Sequence, residues 1–313
     1  MKISVLTLNP GIDRIIYLPT PTRLGTMNRA SHTVVSQGSK GANIAIMLST
    51  LGAKVDYFSF TGGESGQIAE KFVDLPGITP HYVKTASGVR TNTKIIDSDG
   101  LCTEFNERGG PVTKRELDEL LSPLFDGNYD IVILSGSIPQ PVENSVYNSI
   151  VSHFNKKSAR CILDCDGDVM FSALKARPSL IKPNRRELAG ILGVNEDSLG
   201  PESDVIAACR AVRERYSCDI ACTLDKDGSI FCGSDGEYRV TSPEVTLAGF
   251  SGAGDTYLAA FIFKRYCEGQ SLPEALAYAS AAAAAKVSLP GTVLPGKEQI
   301  LNMLARGITV MPV

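Results

Sequence analysis

TLAGFSGAGDTYLAAFIF, residues 246–263, decides how the rest of the chain is read. An apolar run enters Ser251-Gly252-Ala253-Gly254-Asp255 and leaves at once into a second apolar run, long enough for a buried helix. Glycines ahead of a helix let the chain turn sharply and bring free backbone N–H groups close to a ligand. The first N–H groups of a helix over 253–267 then converge on one point with the helix dipole behind them, which makes an anion site. Asp255, in that first turn, stands beside whatever anion binds. With a phosphoryl group in transit as the anion, the amides of 252–254 stabilise its charge and Asp255 takes the proton of the attacking hydroxyl. Plain helix capping competes with this reading, because aspartate in a first turn is favourable with no ligand at all. No Gly-Lys-Ser/Thr follows, so the stretch is not a Walker A loop.

Such a helix start belongs at the edge of a strand layer, and the chain supplies one. Short runs, apolar on both faces, recur at ISVLTLN (3–9), VDYFSF (55–60), DIVILSGS (130–137), RCILDC (160–165), SLIKPN (179–184) and DIACTL (219–224). Central strands of a covered parallel sheet look like this. Helical patterns lie between them. ANIAIMLSTLG (42–52) sets Ile44, Leu48 and Leu51 on one face and stops at Gly52. TKRELDELLSPLF (113–125) opens with Thr113 and Glu116, a capping box. The alternation predicts an α/β fold, a doubly wound and mainly parallel sheet with helices on both faces. Two regions, about 12–36 and 81–106, read instead as strand pairs without helices, and KIIDSDGLCTEF (94–105) is a hairpin with Asp-Gly in its turn. No linker, internal repeat or low-complexity tract divides the 313 residues, so one domain over 1–313 with a small inserted β-sheet is expected.

Composition narrows the partners. A net charge of −3 provides no basic field for nucleic acid or an anionic membrane. MKISVLTLNPGID reads as a strand and a turn, too short for a signal peptide or a membrane span. The alanine run at 281–285 ends at Lys286, also too short to span a bilayer. A cytoplasmic protein is expected. The eight cysteines contain no Cys-x-x-Cys pair. Cys161 and Cys165, like Cys218 and Cys222, lie along strand-like runs about 13 Å apart, too far for a disulfide or a shared zinc. They are read as buried, reduced thiols.

Other segments suit chemistry around a phosphate. QGSKGANIA (37–45) is a second glycine turn opening a helix. Gly38 shapes it, Lys40 can neutralise a phosphate, and Asn43 has both donor and acceptor for sugar hydroxyls. Arg29 and Arg90, in the two β-rich regions, carry the guanidinium fork that matches a phosphate. Taken singly, each also reads as an ordinary surface charge. Asn184 and Glu187 in KPNRRE (182–187) form a capping box, or hold water around Mg²⁺ beside nucleotide phosphates. Spacing alone does not separate the two. Asp13 accepts from sugar hydroxyls or merely closes its turn. SGSIP (135–139), with Ser137, ends a strand on small residues, where ligands sit in open α/β sheets.

In this order, LTLNPGID, GTMNRA, QGSKGANIA, GVRTNTKI, SGSIP, IKPNRREL, CTLDKDGSI and GFSGAGDTYLAAF resemble the ribokinase/PfkB family of carbohydrate kinases across essentially the whole chain. The resemblance implies ATP- and Mg²⁺-dependent phosphorylation of a sugar hydroxyl. It makes Asp255 the base, with Gly252, Ala253 and Gly254 the anion hole. It sets Asn184 and Glu187 at the metal and phosphates, Glu187 through water. Lys182, Thr223, Gly228 and Ser251 fall on the nucleotide side. Asp13, Arg29, Gly38, Lys40, Asn43, Arg90 and Ser137 fall on the sugar or sugar-phosphate side. It also implies a ribokinase-like fold whose small sheet is a lid, and, in the sugar-phosphate branch, a homodimer clasped through the lids. VRTNTKI (89–95) and TEFNERGGP (103–111) point within that branch to fructose 1-phosphate as acceptor, ahead of tagatose 6-phosphate or fructose 6-phosphate. Three cations in one pocket, Arg29, Lys40 and Arg90, favour a phosphorylated acceptor. Three positions depart from the family pattern: Ser39 and Asp225 replace usual glycines, and Phe250-Ser251 replaces a usual small pair. Asp225 is the one feature that supports a second class of function, a non-catalytic sensor of sugar phosphate or nucleotide.

Overall fold

Alternate residues of the central strands face two different cores, and that fixes the layering. A computed structural model describes residues 1–249 and 251–313. In chain order its strands are β1 (Ile3–Thr7), β2 (Gly11–Tyr17), β3 (His32–Gln37), β4 (Val55–Thr61), β5 (Ile78–Lys84), β6 (Arg90–Ile96), β7 (Cys102–Asn106), β8 (Ile131–Ser135), β9 (Arg160–Asp164), β10 (Leu180–Ile181), β11 (Asp219–Thr223), β12 (Ser229–Gly233), β13 (Gly236–Val240) and β14 (Val310–Pro312). The helices are α1 (Lys40–Leu51), α2 (Gly63–Val73), α3 (Lys114–Asp126), α4 (Val146–Lys156), α5 (Gly167–Leu174), α6 (Arg185–Leu192), α7 (Glu202–Tyr216), α8 (Ala253–Ile262), α9 (Leu272–Val287) and α10 (Lys297–Leu304).

The main sheet has the order β14-β13-β12-β11-β10-β9-β8-β1-β4-β5. It is parallel from β5 to β11, and β12, β13 and β14 add antiparallel strands at one edge. Ile3, Val5, Ile131, Ile133 and Ile162 join the core under α1, α8, α9 and α10. Their neighbours Leu6, Val132, Leu134, Cys161 and Leu163 join the core under α3 to α7. This is the period of two expected for strands covered on both faces. The fold is therefore the doubly wound α/β arrangement read from the sequence.

Local signals set several boundaries as expected. α1 ends at Gly52, whose φ of 105° is the left-handed conformation glycine adopts without strain. α3 opens with the Thr113/Glu116 capping box. SLIKPN contributes only Leu180–Ile181 as strand, because the chain turns at once into the Asn184 cap of α6. The helix expected over 253–267 is α-helical to Ile262 and continues as a π-helical turn, Phe263–Cys267.

The second sheet has the order β3-β2-β6-β7. Two antiparallel hairpins, β2–β3 and β6–β7, are joined by parallel pairing of β2 with β6. The β6–β7 turn carries Gly100 with a φ of 76°. Residues 81–84, expected in this sheet, belong instead to β5, which pairs with β4 from Val55↔Ile78 to Thr61↔Lys84. Their polar character is that of an edge strand, half of which faces solvent. All eight cysteines are free thiols, six of them buried. No helix among the described residues is long and apolar enough to cross a membrane.

Candidate active site

Two helix starts meet at the carboxyl edge of the parallel strands. Gly252, with φ 87°, turns the chain into α8, and its carbonyl accepts from Thr256 N at 3.0 Å and Thr256 Oγ1 at 2.8 Å. The first N–H groups of α8 are thereby left free to face outward. A Cβ on Gly254 would lie 2.9 Å from Lys182 Nζ, so the helix start and that lysine are in close contact. Opposite, Ser39 caps α1 with φ −105°, ordinary extended backbone that needs no glycine. Its hydroxyl accepts from Gly11 N at 2.8 Å and donates to Gly11 O at 3.2 Å. The Ser39 departure therefore staples the first turn rather than obstructing it. Gly38 is indispensable beside it, because a Cβ there would fall 2.3 Å from Asp13 Oδ1 and 2.7 Å from Asp13 N.

Between these helix starts and the inner face of the small sheet lies a cavity of about 290 Å³. Lys40, Asn43, Gly252 and Asp255 form its floor together with Ser251, which was expected on the nucleotide side, and Asp13, Gly38 and Arg90 form its wall. Arg29 does not line it; this residue is exposed on the connection between β2 and β3. The wall is completed by four side chains the sequence reading did not single out, Asn92, Lys94, Glu104 and Asn106. Their signal was available: Arg90, Asn92 and Lys94 alternate along β6, which puts them on one face. A larger open depression, about 780 Å³, lies at the opposite edge of the sheet around Arg160, Asp219 and Arg265, away from both helix starts.

Electrostatics tie the cavity together. Asp13 is buried between Lys94 Nζ at 2.8 Å and Asn92 Nδ2 at 3.1 Å. Burial is the largest effect on Lys94 and works against its charge, but Asp13 and Glu104 together outweigh it, so the lysine is raised and stays charged. Asp255 accepts from Asn43 Nδ2 at 2.8 Å. Burial and the nearby Asp164 push the Asp255 carboxyl up to about 6, against the pull of Lys40, Asn43 and Lys182.

Asp164 is the most consequential residue missing from the sequence reading. It ends β9, is fully buried, and stands 3.3 Å from Lys182 Nζ and 3.6 Å from Lys40 Nζ. Burial opposes its charge, yet the two lysines hold the carboxyl below its ordinary value. Neither oxygen completes a hydrogen bond within the described residues. Lys40 is raised in turn, chiefly by Asp164, and also lies 3.8 Å from Glu187 Oε1. The place of Asp164 at the carboxyl end of the central strand β9 was the available signal.

The remaining expected residues line up beyond Lys182. Asn184 and Glu187 form a full capping box: Asn184 Oδ1 accepts from Glu187 N at 2.8 Å, and Glu187 Oε2 accepts from Asn184 N at 2.9 Å. The cap engages one carboxylate oxygen and leaves the other toward Lys40, so the two sequence readings of this pair are compatible. Thr223 pairs with Asn184 through an isolated bridge. Gly228 has φ 94°, and a Cβ on it would fall 2.0 Å from Val240 O. Asp225 holds the left-handed conformation, φ 51°, which glycine adopts without strain, and is exposed. Ser137 accepts from Asn9 Nδ2 at 3.0 Å, outside the cavity wall. Phe250, the remaining departure, lies outside the described residues.

Residues 6–299 match the pfkB family carbohydrate kinase. The chain belongs to this family. The pfkB match runs from Leu6 in β1 to Gln299 in α10, so it takes in both helix starts, the capping box and the small sheet. The chain is similar to 1-phosphofructokinase of Escherichia coli (strain K12), 28% identical over 307 residues that cover 97% of each chain. It is similar in structure to phosphofructokinase-2 from Escherichia coli, with a TM-score of 0.90 at 24% identity over 97% and 99% of the two chains. A possible 1-phosphofructokinase from Thermotoga maritima superimposes with a TM-score of 0.87 at 25% identity over all of both chains. The ribokinase-like fold and the sugar kinase class of the pfkB family thus agree with the layers and the site described above.

Proposed function

We propose that this chain transfers the γ-phosphoryl group of ATP to a ketohexose phosphate, with fructose 1-phosphate the first choice and fructose 1,6-bisphosphate the product. The observation that carries the reading is one carboxylate, Asp255, buried at the free N-terminus of α8 and facing a cavity walled by Arg90 and Lys94. Arg90 donates from Nη1 to Glu107 O at 2.9 Å, but its buried Nε has no partner among the described residues. A sugar phosphate supplies the acceptor that this N–H lacks. The same chemistry suits tagatose 6-phosphate and fructose 6-phosphate. The 1-phosphofructokinase relative favours fructose 1-phosphate.

Asp255 accepts the proton of the attacking hydroxyl, and a carboxyl near 6 is mostly ionised at neutral pH while remaining a useful base. The amides of Gly252, Ala253 and Gly254 stabilise charge on the phosphoryl group in flight, and Lys40 neutralises it from the other helix start. In this reading Lys182, Asn184, Thr223 and Gly228 serve the nucleotide, on the strength of the family resemblance. Among the described residues no three His, Cys, Asp or Glu side chains converge as direct metal ligands. Asp164, whose oxygens complete no hydrogen bond among the described residues, and Glu187 Oε1, which lies outside the cap, would suit Mg²⁺ held through its water shell. When bound, Mg²⁺ neutralises phosphate charge; Asp164 and Glu187 orient its waters.

The open face of the small sheet exposes Val35 and Phe105, which share a face through Arg14 and Thr93. We read it as the surface through which two copies pair, testable by light scattering. The function is tested by ADP release from ATP and Mg²⁺ with fructose 1-phosphate, fructose 6-phosphate and tagatose 6-phosphate. Turnover led by fructose 1-phosphate is expected. Tight binding of these sugars with no ADP release would leave the sensor reading standing instead.

A further inference from the structure

Lys286 interrupts an alanine-rich helix and is fully buried, an expensive place for an ammonium group. It lies in the last turn of α9, where the helix dipole favours a cation. Its Nζ donates to Gly291 O at 2.9 Å. The segment that leads into the anion hole is folded over it. Ala248 N and Gly249 N both donate to Val287 O, at 2.8 and 3.0 Å. A Cβ on Gly249 would lie 3.2 Å from Lys286 Nζ, 3.0 Å from Gly291 O and 2.5 Å from Leu289 O. A Cβ on Gly252 would lie 3.3 Å from Lys286 Cε. The lysine therefore runs under the turn that opens α8, with its head among backbone carbonyls. A methionine or leucine would fill the slot without burying a charge, so packing does not account for the residue.

We propose that Lys286 is a positioning residue for phosphoryl transfer, its tethered ammonium serving as a fixed cation beneath the anion-hole turn. This rests on the kinase reading above. The ammonium holds Gly249 and Gly252 against the 288–291 loop and adds positive potential behind the α8 amides. It does not line the substrate cavity. The charged groups that face it are Asp255 from α8, which favours the ammonium, and Lys94 from β6, which opposes it; α1 contributes the uncharged Asn43 beside Gly252. Burial leads these effects and draws the lysine down to about 8. Turnover should accordingly fall as pH rises through about 8 and the ammonium is lost.

The test uses Lys286→Met and Lys286→Ala beside wild type. kcat should fall about 10²-fold, the scale of losing one anion-hole contact, with KM for sugar phosphate and ATP within about threefold. The alkaline limb near pH 8 should vanish in Lys286→Met. Ammonium chloride, but not choline chloride, should restore part of the kcat of Lys286→Ala and raise its melting temperature, leaving wild type unmoved on both. Retention of most of kcat by Lys286→Met, or a kcat loss that follows lost stability in both variants and that ammonium does not mend, overturns the proposal. If wild type turns over no sugar of the panel, the kinase reading falls and takes this one with it; an active wild type with an equally active Lys286→Met sinks the inference alone.

Discussion

Asn43 in α1 and Asp255 in α8 are 212 residues apart and share a hydrogen bond of 2.8 Å, Nδ2 to Oδ2. The amide favours the ionised carboxyl, against burial and Asp164, which push it up to about 6. A base must be ionised to act, so kcat/KM should rise with pH through that value and level off above it. Asn43→Ala removes one of the groups that favour ionisation. Its acid limb should move to higher pH by about one unit. A limb that stays in place would show that Asn43 does not set the state of Asp255.

Asp255→Asn keeps the shape of the site and removes the proton acceptor. kcat should fall by ~10²–10⁴ while both substrates still bind. Stability gives an independent check. The folded-state value lies above the ordinary 3.8, so ionising Asp255 costs stability that is absent well below that value and fully incurred above about pH 6. At pH 8 the variant should therefore melt no lower than wild type. A variant that keeps most of its turnover removes Asp255 from the base role.

Arg90→Ala addresses the acceptor. Losing a charge-assisted contact of about 1.5–3 kcal/mol should raise KM for the sugar phosphate by ~10–100-fold. KM for ATP should barely change, because Arg90 sits in β6, across the cavity from the Lys182 side. Equal effects on both substrates would count against the assignment.

Lys94 and Asp13 test the wall of the cavity by stability rather than rate. Lys94→Met strands a buried carboxylate and should cost about 3–5 kcal/mol in denaturant unfolding. Adding Asp13→Asn removes the stranded charge and should recover much of that loss. A double variant no more stable than the single one would mean the pair is not coupled.

Much of the fold was legible because its signals are local. Glycines with positive φ at 52, 228 and 252, capping boxes at Thr113 and Asn184, and strands apolar on both faces all act within a few residues. The Gly252–Asp255 start and the Lys40–Asn43 start were readable for the same reason. Arg29 was grouped with Lys40 and Arg90 on charge and on the family resemblance; it does not line the cavity, and Lys94 does. Residues 81–84 were grouped with the small sheet on polarity, which an edge strand of the main sheet shares.

The sequence by itself determined the α/β layering, the two glycine-turn helix starts and the carboxylate at one of them, because periodicity, capping and left-handed turns are properties of neighbouring residues. Only the tertiary structure decided which charges share the cavity. Lys94 reaches Asp13 through the parallel pairing of β2 with β6, Asp164 reaches Lys40 and Lys182 where parallel strands end together, and Lys286 slips beneath Gly252 where α8 packs on α9. Each of these contacts joins positions far apart in the chain, and Coulomb energy depends on distance in space, which no spacing in the sequence encodes.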